Sequence, residues 1–376
     1  MKKEKTSLLQ SDGLQTLLSS LLCIIIGLVI GYLVLLIIEP KGAFEAITAV
    51  MKSFFRFSGK SRMKYLGQNL VRTVPLILCS LSVLFAYKVG MFNIGVAGQY
   101  VAGACGCLYA ALAWKLPWLP CLLIGMAAAA LLGVIAGLLK TKCNVNIVIS
   151  GIMLNWIALY LTNLILGKVK SPMSPYTLNL MGTNPQAKLP SLGLEKLFSN
   201  ESSISIAIPL AVIVAVVIWV VLYKTKFGYE LKATGYNYHA AKYAGMKEDR
   251  NIILTMLISG ALAGLGAGLL YLTGIEEWET TISSVPAMGF NGIAVAFLGG
   301  LSPIGSILSA FFIQYITFGG GNVDLQVYCS QISSLISSLI IYLCAFVAFF
   351  KYFIQACLQK RKDKQAPETT EGGEEK

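Results

Sequence analysis

The chain has 376 residues, of which 56% are hydrophobic and 13% charged. A water-soluble globule carries about a quarter charged residues, so this composition excludes one and marks an integral membrane protein. The net charge of +12 does not point to nucleic acid, because the positive residues fall in loops and tails between apolar stretches, as topology signals do.

In chain order, Lys2, Lys3 and Lys5 precede an uncharged stretch at 13–38. No small-residue cleavage site follows it, so a retained first span is expected. The next segment, 39–72, is basic. Residues 43–57 read as an amphipathic helix lying flat on the outer surface, with Phe44, Ile47, Val50, Met51, Phe54 and Phe55 as its apolar face. Gly59-Lys60-Ser61 resembles the end of a phosphate-binding loop, but Phe54 stands where that loop needs glycine. Further uncharged stretches run 73–87, 89–114, 116–139, 143–167, 202–223, 251–275, 280–323 and 325–350.

A helical span needs about 20 apolar residues. Most stretches fit one span, 73–87 is short, and 280–323 fits two with a break at Leu301–Gly305. The expectation is an all-α polytopic membrane protein of roughly ten transmembrane helices. An even count puts both termini on one side, and the basic ends make that side the cytoplasm. Residues 1–358 then form the membrane domain, with a Pro-, Ser- and Asn-rich outer loop at 168–203. The tail 359–376 is charged and expected to be disordered. The nine cysteines show no metal spacing, and His239 is the one histidine. Cys105 and Cys107 read as packing residues.

The segment 224–251 stands apart. It carries Lys224, Lys226, Lys232, Lys242, Lys247 and Arg250 against Glu230, Glu248 and Asp249, so it is expected on the cytoplasmic side. Its centre reads as one short helix. Gly235 would permit the opening turn, Asn237 would cap, Ala240 and Ala241 favour helix, and Gly245 would stop it. Such a helix is either a plug for a groove in a partner protein or an ordinary solvated loop.

Within the membrane, Gly90–Gln99 and Met288–Ala296 both contain Phe-Asn followed by glycine and small apolar residues. Their corresponding positions suggest two pseudo-repeated halves with a solute path at their interface. Phe92, Asn93, Gln99, Phe290 and Asn291 are the candidates to line it. Asn155 and Trp156 lie mid-span, where an amide could bond a solute and an aromatic could stack on one. The same residues also suit plain helix packing, with asparagines bridging neighbours. Gly260, Gly264 and Gly268 form a small-residue ridge suited to tight packing. Gln314 and Gln331 are further polar candidates. No span carries an unambiguous central Asp, Glu or Lys of the kind ion-driven carriers use, so another subunit is expected to supply the energy.

Four segments resemble a known family: GMFNIGVAGQ at 90–99, IMLNWIALYL at 152–161, GYELKATGYNYHAAKYAGM at 228–246 and GFNGIAVAFLGGLSPIG at 289–305. In this order they are similar to the permease subunits of bacterial ATP-binding-cassette importers. The branch is the one with ribose/galactose, branched-chain amino acid and nucleoside permeases, and the nucleoside permeases are most similar. The resemblance implies that 224–251 holds the coupling helix that docks into a separate ATPase subunit. Lys232, Gly235, Asn237, Ala240, Ala241 and Gly245 fall on its motif. It implies no cofactor in this chain, with ATP and Mg bound by the ATPase partner, and no enzymatic activity of its own. It also implies a second, paralogous permease, a substrate-binding lipoprotein that captures nucleosides, and a place in the bacterial cytoplasmic membrane. Two positions depart from the pattern: Ala97 where an acid is usual, and Lys232 where Arg is common. The rival readings are a sugar or branched-chain amino acid permease and, in a different class, an ion-coupled secondary transporter.

Overall fold

The computed structural model describes residues 12–322 and scattered positions between 335 and 353. The tail 359–376 lies outside these residues, as do Gln331 and nearly all of the stretch 325–350. Every regular element among the described residues is helical, and β pairing is limited to two isolated bridges, Lys170 with Thr177 and Tyr176 with Glu279.

The larger helices in chain order are α1 (Asp12–Ile38), α2 (Ala43–Lys52), α3 (Gly59–Lys88), α4 (Val96–Leu112), α5 (Trp118–Cys143) and α6 (Ile147–Leu166). They continue as α7 (Leu180–Thr183), α8 (Ala207–Lys224), α9 (Lys226–Tyr236), α10 (Tyr238–Tyr243), α11 (Glu248–Tyr271), α12 (Ala287–Leu298) and α13 (Pro303–Gly320). Seven of the described helices are long and apolar enough to cross a membrane: α1, α3, α5, α6, α8, α11 and α13. Helices α4 and α12 are apolar but shorter. The expected break in 280–323 is present: Gly300 and Leu301 turn with positive φ, and Pro303 opens α13 at a position where its missing N–H costs nothing.

One expectation needs correction. The short span 73–87 is the C-terminal half of the 30-residue α3, which begins at Gly59. Lys88 ends this helix, but Arg72, which seemed to bound the span on the other side, lies within it. Arg72 pairs with Glu276 at 2.8 Å and Lys64 with Glu201 at 3.5 Å. The segment 43–57 is helical at α2: Ala43, Ala46, Ala49 and Val50 are buried against the chain, as is Phe54 just beyond it, while Phe44, Met51 and Phe55 are exposed. Small residues win the inner face because α2 lies against α13, where Gly319 meets the Val50 backbone directly.

Helices α3 and α11 are the most buried spans, and α1, α5, α6 and α8 leave most of their surface uncovered by the rest of the chain. The seam between α4, α5 and α11 is built from glycine. Gly103 meets the Gly264 backbone, and a Cβ at Gly264 would stand 2.6 Å from Ala129 Cβ and 2.7 Å from Gly125 O. Close backbone approach supplies the dispersion contacts that replace a hydrophobic drive within lipid. Gly264→Leu is therefore expected to cost at least about 1–3 kcal/mol by overpacking, read as a lower thermal midpoint and yield of the detergent-purified protein.

The loop 168–203 is fastened across one end of the bundle. Asn184 donates to the carbonyls of Ala111 (3.0 Å) and Leu116 (2.8 Å), and the Leu189 N–H donates to Leu272 O at 3.0 Å. The Asn163 side chain accepts from the Trp278 indole at 3.0 Å and donates to Ile282 O at 2.8 Å. Helices α4 and α12 begin beside one another in the interior, where Gly289 lies against Ala97. They run in opposite directions. Helix α4 ends near Asn184 of the fastened loop, while Phe297 near the end of α12 packs on Tyr87 and Phe92 at the far end of the bundle.

Candidate functional site

The loop 224–251 holds two helices where one was expected. Thr225 caps α9 by accepting from the Gly228 N–H at 3.1 Å. Leu231 and Thr234 face inward, and Thr234 Oγ1 accepts from Asn251 Nδ2 at 2.9 Å, which ties α9 to α11. Lys232 sits over the Tyr223 ring at 4.9 Å. Gly235 is not an opening turn. It lies inside α9, pressed against the turn that ends α3: a Cβ there would meet Val89 C at 2.5 Å and Gly90 N at 2.8 Å.

Asn237 caps α10 as expected, its side chain accepting from the Ala240 N–H at 3.0 Å. Gly245, at φ +79°, ends the turn with its N–H on Lys242 O at 3.0 Å. Two polar contacts hold α10 to the start of α11: Tyr238 donates to Asp249 Oδ1 at 3.0 Å, and Lys242 pairs with Glu248 at 3.4 Å. Local burial, together with the Asp249 bond, raises the Tyr238 phenol to about 12. Ala241 is buried against its own chain. The outward face carries His239 and Ala240, flanked by Tyr236 at 90% exposure and Tyr243 at 93%. The sequence reading passed over these two tyrosines, although aromatics in a charged loop were a visible signal.

The turn beneath Gly235 leads directly into the first Phe-Asn segment. After α3 ends, residues 91–95 run back into the bundle without helical structure, and α4 starts at Val96. Asn93 is buried there and donates to Gln99 Oε1 at 2.9 Å and Ser259 Oγ at 2.8 Å. Ser259 in turn donates to Ser82 O at 3.0 Å. Asn155 holds the next residues: its Oδ1 accepts from the Gly98 N–H at 2.7 Å, and its Nδ2 donates to Ile94 O at 3.1 Å. Asn155 thus supplies partners for backbone that helix geometry leaves unpaired.

The candidate path residues therefore separate. Asn93, Gln99 and Asn155 are buried in hydrogen bonds that bind helices α3, α4, α6 and α11 together. Trp156 points away from Asn155, half-exposed on the outside of the bundle and stacked on Tyr160 at 6.0 Å, because adjacent helical residues point about 100° apart. Phe92 is half-buried against Phe297 at 6.3 Å, and Phe290 is 38% exposed. Asn291 is half-buried and makes no side-chain hydrogen bond to another described residue. The structure brings the two Phe-Asn segments together, one as a turn before α4 and one inside α12.

Asn155→Leu is expected to destabilise the chain by about 1–3 kcal/mol, because the Gly98 N–H and Ile94 carbonyl would lose their partner while buried. Thermal unfolding of the purified variant checks this. Among the described residues no cluster of His, Cys, Asp and Glu is arranged to hold a metal ion.

Comparisons with known proteins add to this geometry. The family described as branched-chain amino acid transport system / permease component matches residues 65–347. The guanosine ABC transporter permease protein NupP of Bacillus subtilis (strain 168) is 35% identical, over 83% of this chain and 88% of its own. The nucleoside ABC transporter permease protein NupB of Lactococcus lactis subsp. cremoris (strain MG1363) is 32% identical over 94% of this chain and 97% of its own. The guanosine ABC transporter permease protein NupQ of the same Bacillus strain is 29% identical over 66% and 79%. No solved structure matches.

Proposed function

This chain belongs to the branched-chain amino acid transport system / permease component family, and from that premise we propose that it is the membrane-spanning permease of a nucleoside importer driven by a separate ATPase subunit. The observation that carries the substrate class is similarity over 83% and 94% of the chain to NupP and NupB, permeases named for guanosine and nucleosides. The transport role is that of a subunit: the ATPase partner binds ATP and Mg, and the loop 224–251 receives its motion. Similarity to both NupP and NupQ, two permeases of one organism, supports pairing with a paralogous second permease. A substrate-binding lipoprotein would deliver the solute on the outer side. The basic loop and chain ends support a cytoplasmic-membrane location with both termini and 224–251 facing the cytoplasm.

Coupling has a physical route in this reading. ATP-driven movement of the partner pushes α9 and α10. Gly235 transmits the push to Val89–Gly90, and the non-helical residues 91–95 move the Asn93 network and the start of α4. Non-helical backbone at this depth is tolerated because it is buried and hydrogen-bonded within protein.

The test is uptake of labelled guanosine, uridine, ribose and leucine in a strain lacking this chain, with and without its restoration. ATP depletion and an uncoupler form separate arms. Restored nucleoside uptake that follows ATP is the expected result. Restored ribose or leucine uptake alone would replace the substrate class, and uptake that follows the membrane gradient would remove the ATPase coupling.

A further inference from the structure

We propose that Asn69 on α3 and Gln314 on α13 form a solute-reading pair in the transport path, hydrogen-bonding a flat solute edge that presents a donor beside an acceptor. Identifying that edge with a nucleobase rests on the nucleoside reading above. Asn69 is fully buried, and neither its Oδ1 nor its Nδ2 has a hydrogen-bond partner. Leaving a buried amide unpaired costs about 1–3 kcal/mol per group, and such groups are rare in folded proteins. Gln314 is 7% exposed and makes no side-chain hydrogen bond among the described residues.

The register sets the two amides at one level. Helices α3 and α13 run antiparallel, and the rings of Tyr65 and Phe318 meet at 5.7 Å near the loop-covered end. One helical turn inward from Tyr65 is Asn69, and one turn inward from Phe318 is Gln314. Deeper on α13, the buried Ser306 hydroxyl also lacks a partner. The contrast with the rest of the bundle is what singles out this seam. Asn93, Gln99, Asn155, Asn251 and Ser259 all have partners, so amides with a scaffolding role are satisfied here. Asn291 on α12 is also unpaired but only half-buried, so among the described residues the amides that combine burial with the lack of a partner are Asn69 and Gln314.

A carboxamide carries an acceptor and two donors in one plane. It complements a nucleobase edge in the bidentate manner by which Asn and Gln read adenine. In this structure the seam is closed over Asn69 and nearly closed over Gln314. When α13 parts from α3, a passing solute supplies the missing partners, and the amides no longer carry their desolvation penalty unpaired.

The test uses the complete transporter in cells, with Asn69→Leu and Gln314→Leu as variants. Uptake at low solute concentration is expected to fall at least about tenfold, the loss of roughly 1.4 kcal/mol of recognition. Thermal stability of the purified complex is expected to hold or rise, because an unpaired amide is replaced by an apolar group of similar volume. Unchanged uptake with raised stability would overturn the proposal. If Asn69→Leu fails to insert, Asn69→Ala takes its place. A second readout is competition by nucleosides that lack one base-edge hydrogen-bonding group. These should compete poorly in the wild type and nearly as well as the parent nucleoside in the variants. Equal discrimination by wild type and variants would overturn the contact. Labelled ribose and leucine run in parallel. If the wild type carries one of these instead, the nucleoside reading fails alone, and the variants are scored on that solute. Loss of its uptake keeps the pair as a solute contact, and normal uptake removes it.

Discussion

Gly235→Leu should bring uptake close to background while the chain still inserts and folds. A side chain at this position meets backbone rather than a movable side chain: Val89 C at 2.5 Å and Gly90 N at 2.8 Å. The turn cannot retreat easily, because Gly90 is held at φ +75° and its own Cβ position would meet Gly235 O at 2.8 Å. Overpacking of about 1–3 kcal/mol would disfavour the seated position of α9 by about 5- to 150-fold. The damage is local, since α9 is anchored separately by Leu231 and by the Thr234–Asn251 bond. Uptake measured against membrane-inserted protein checks this. Normal uptake would mean that contact between α9 and the α3 turn does not carry the motion.

The second large effect is expected at the two exposed tyrosines. Tyr236→Glu combined with Tyr243→Glu should release the ATPase subunit while leaving the permease fold intact. Both rings are almost wholly exposed here, so the permease alone loses nothing. Exposed aromatics of this kind serve as interface anchors worth about 2 kcal/mol or more each, which corresponds to roughly thirtyfold in affinity per residue. Co-purification of the ATPase with tagged variant protein is the measurement. Full recovery of the ATPase would place its dock elsewhere on the chain.

The helical membrane architecture was readable because charge interrupts apolar sequence wherever the chain meets water. The same rule failed at α3, where Arg72 sits in a helix and is neutralised by Glu276, a residue about two hundred positions away in sequence. At α2 the alanines that pack beside Val50 toward Gly319 were not legible, because close helix packing selects small residues that hydrophobicity does not single out. The caps of α10 were legible because Asn237 and Gly245 act locally. The role of Gly235 was not, because its need for a bare backbone arises from a turn far away in the chain. Asn93 and Asn155 were visible as polar residues in apolar surroundings. Whether such a residue meets a solute or a neighbouring helix depends on tertiary partners such as Ser259 and Gly98, which no spacing encodes.

The facing starts of α4 and α12 have an electrical consequence. Each helix start carries a partial positive charge equivalent to about half an elementary charge, and here two of them approach within the low-dielectric interior. Positive ends of half-helices raise the barrier for protons and other cations in membrane pores. An uncharged cargo is indifferent to that barrier. A carrier built this way can open its interior to a bulky neutral solute without letting the ion gradients of the cell run down through the same passage.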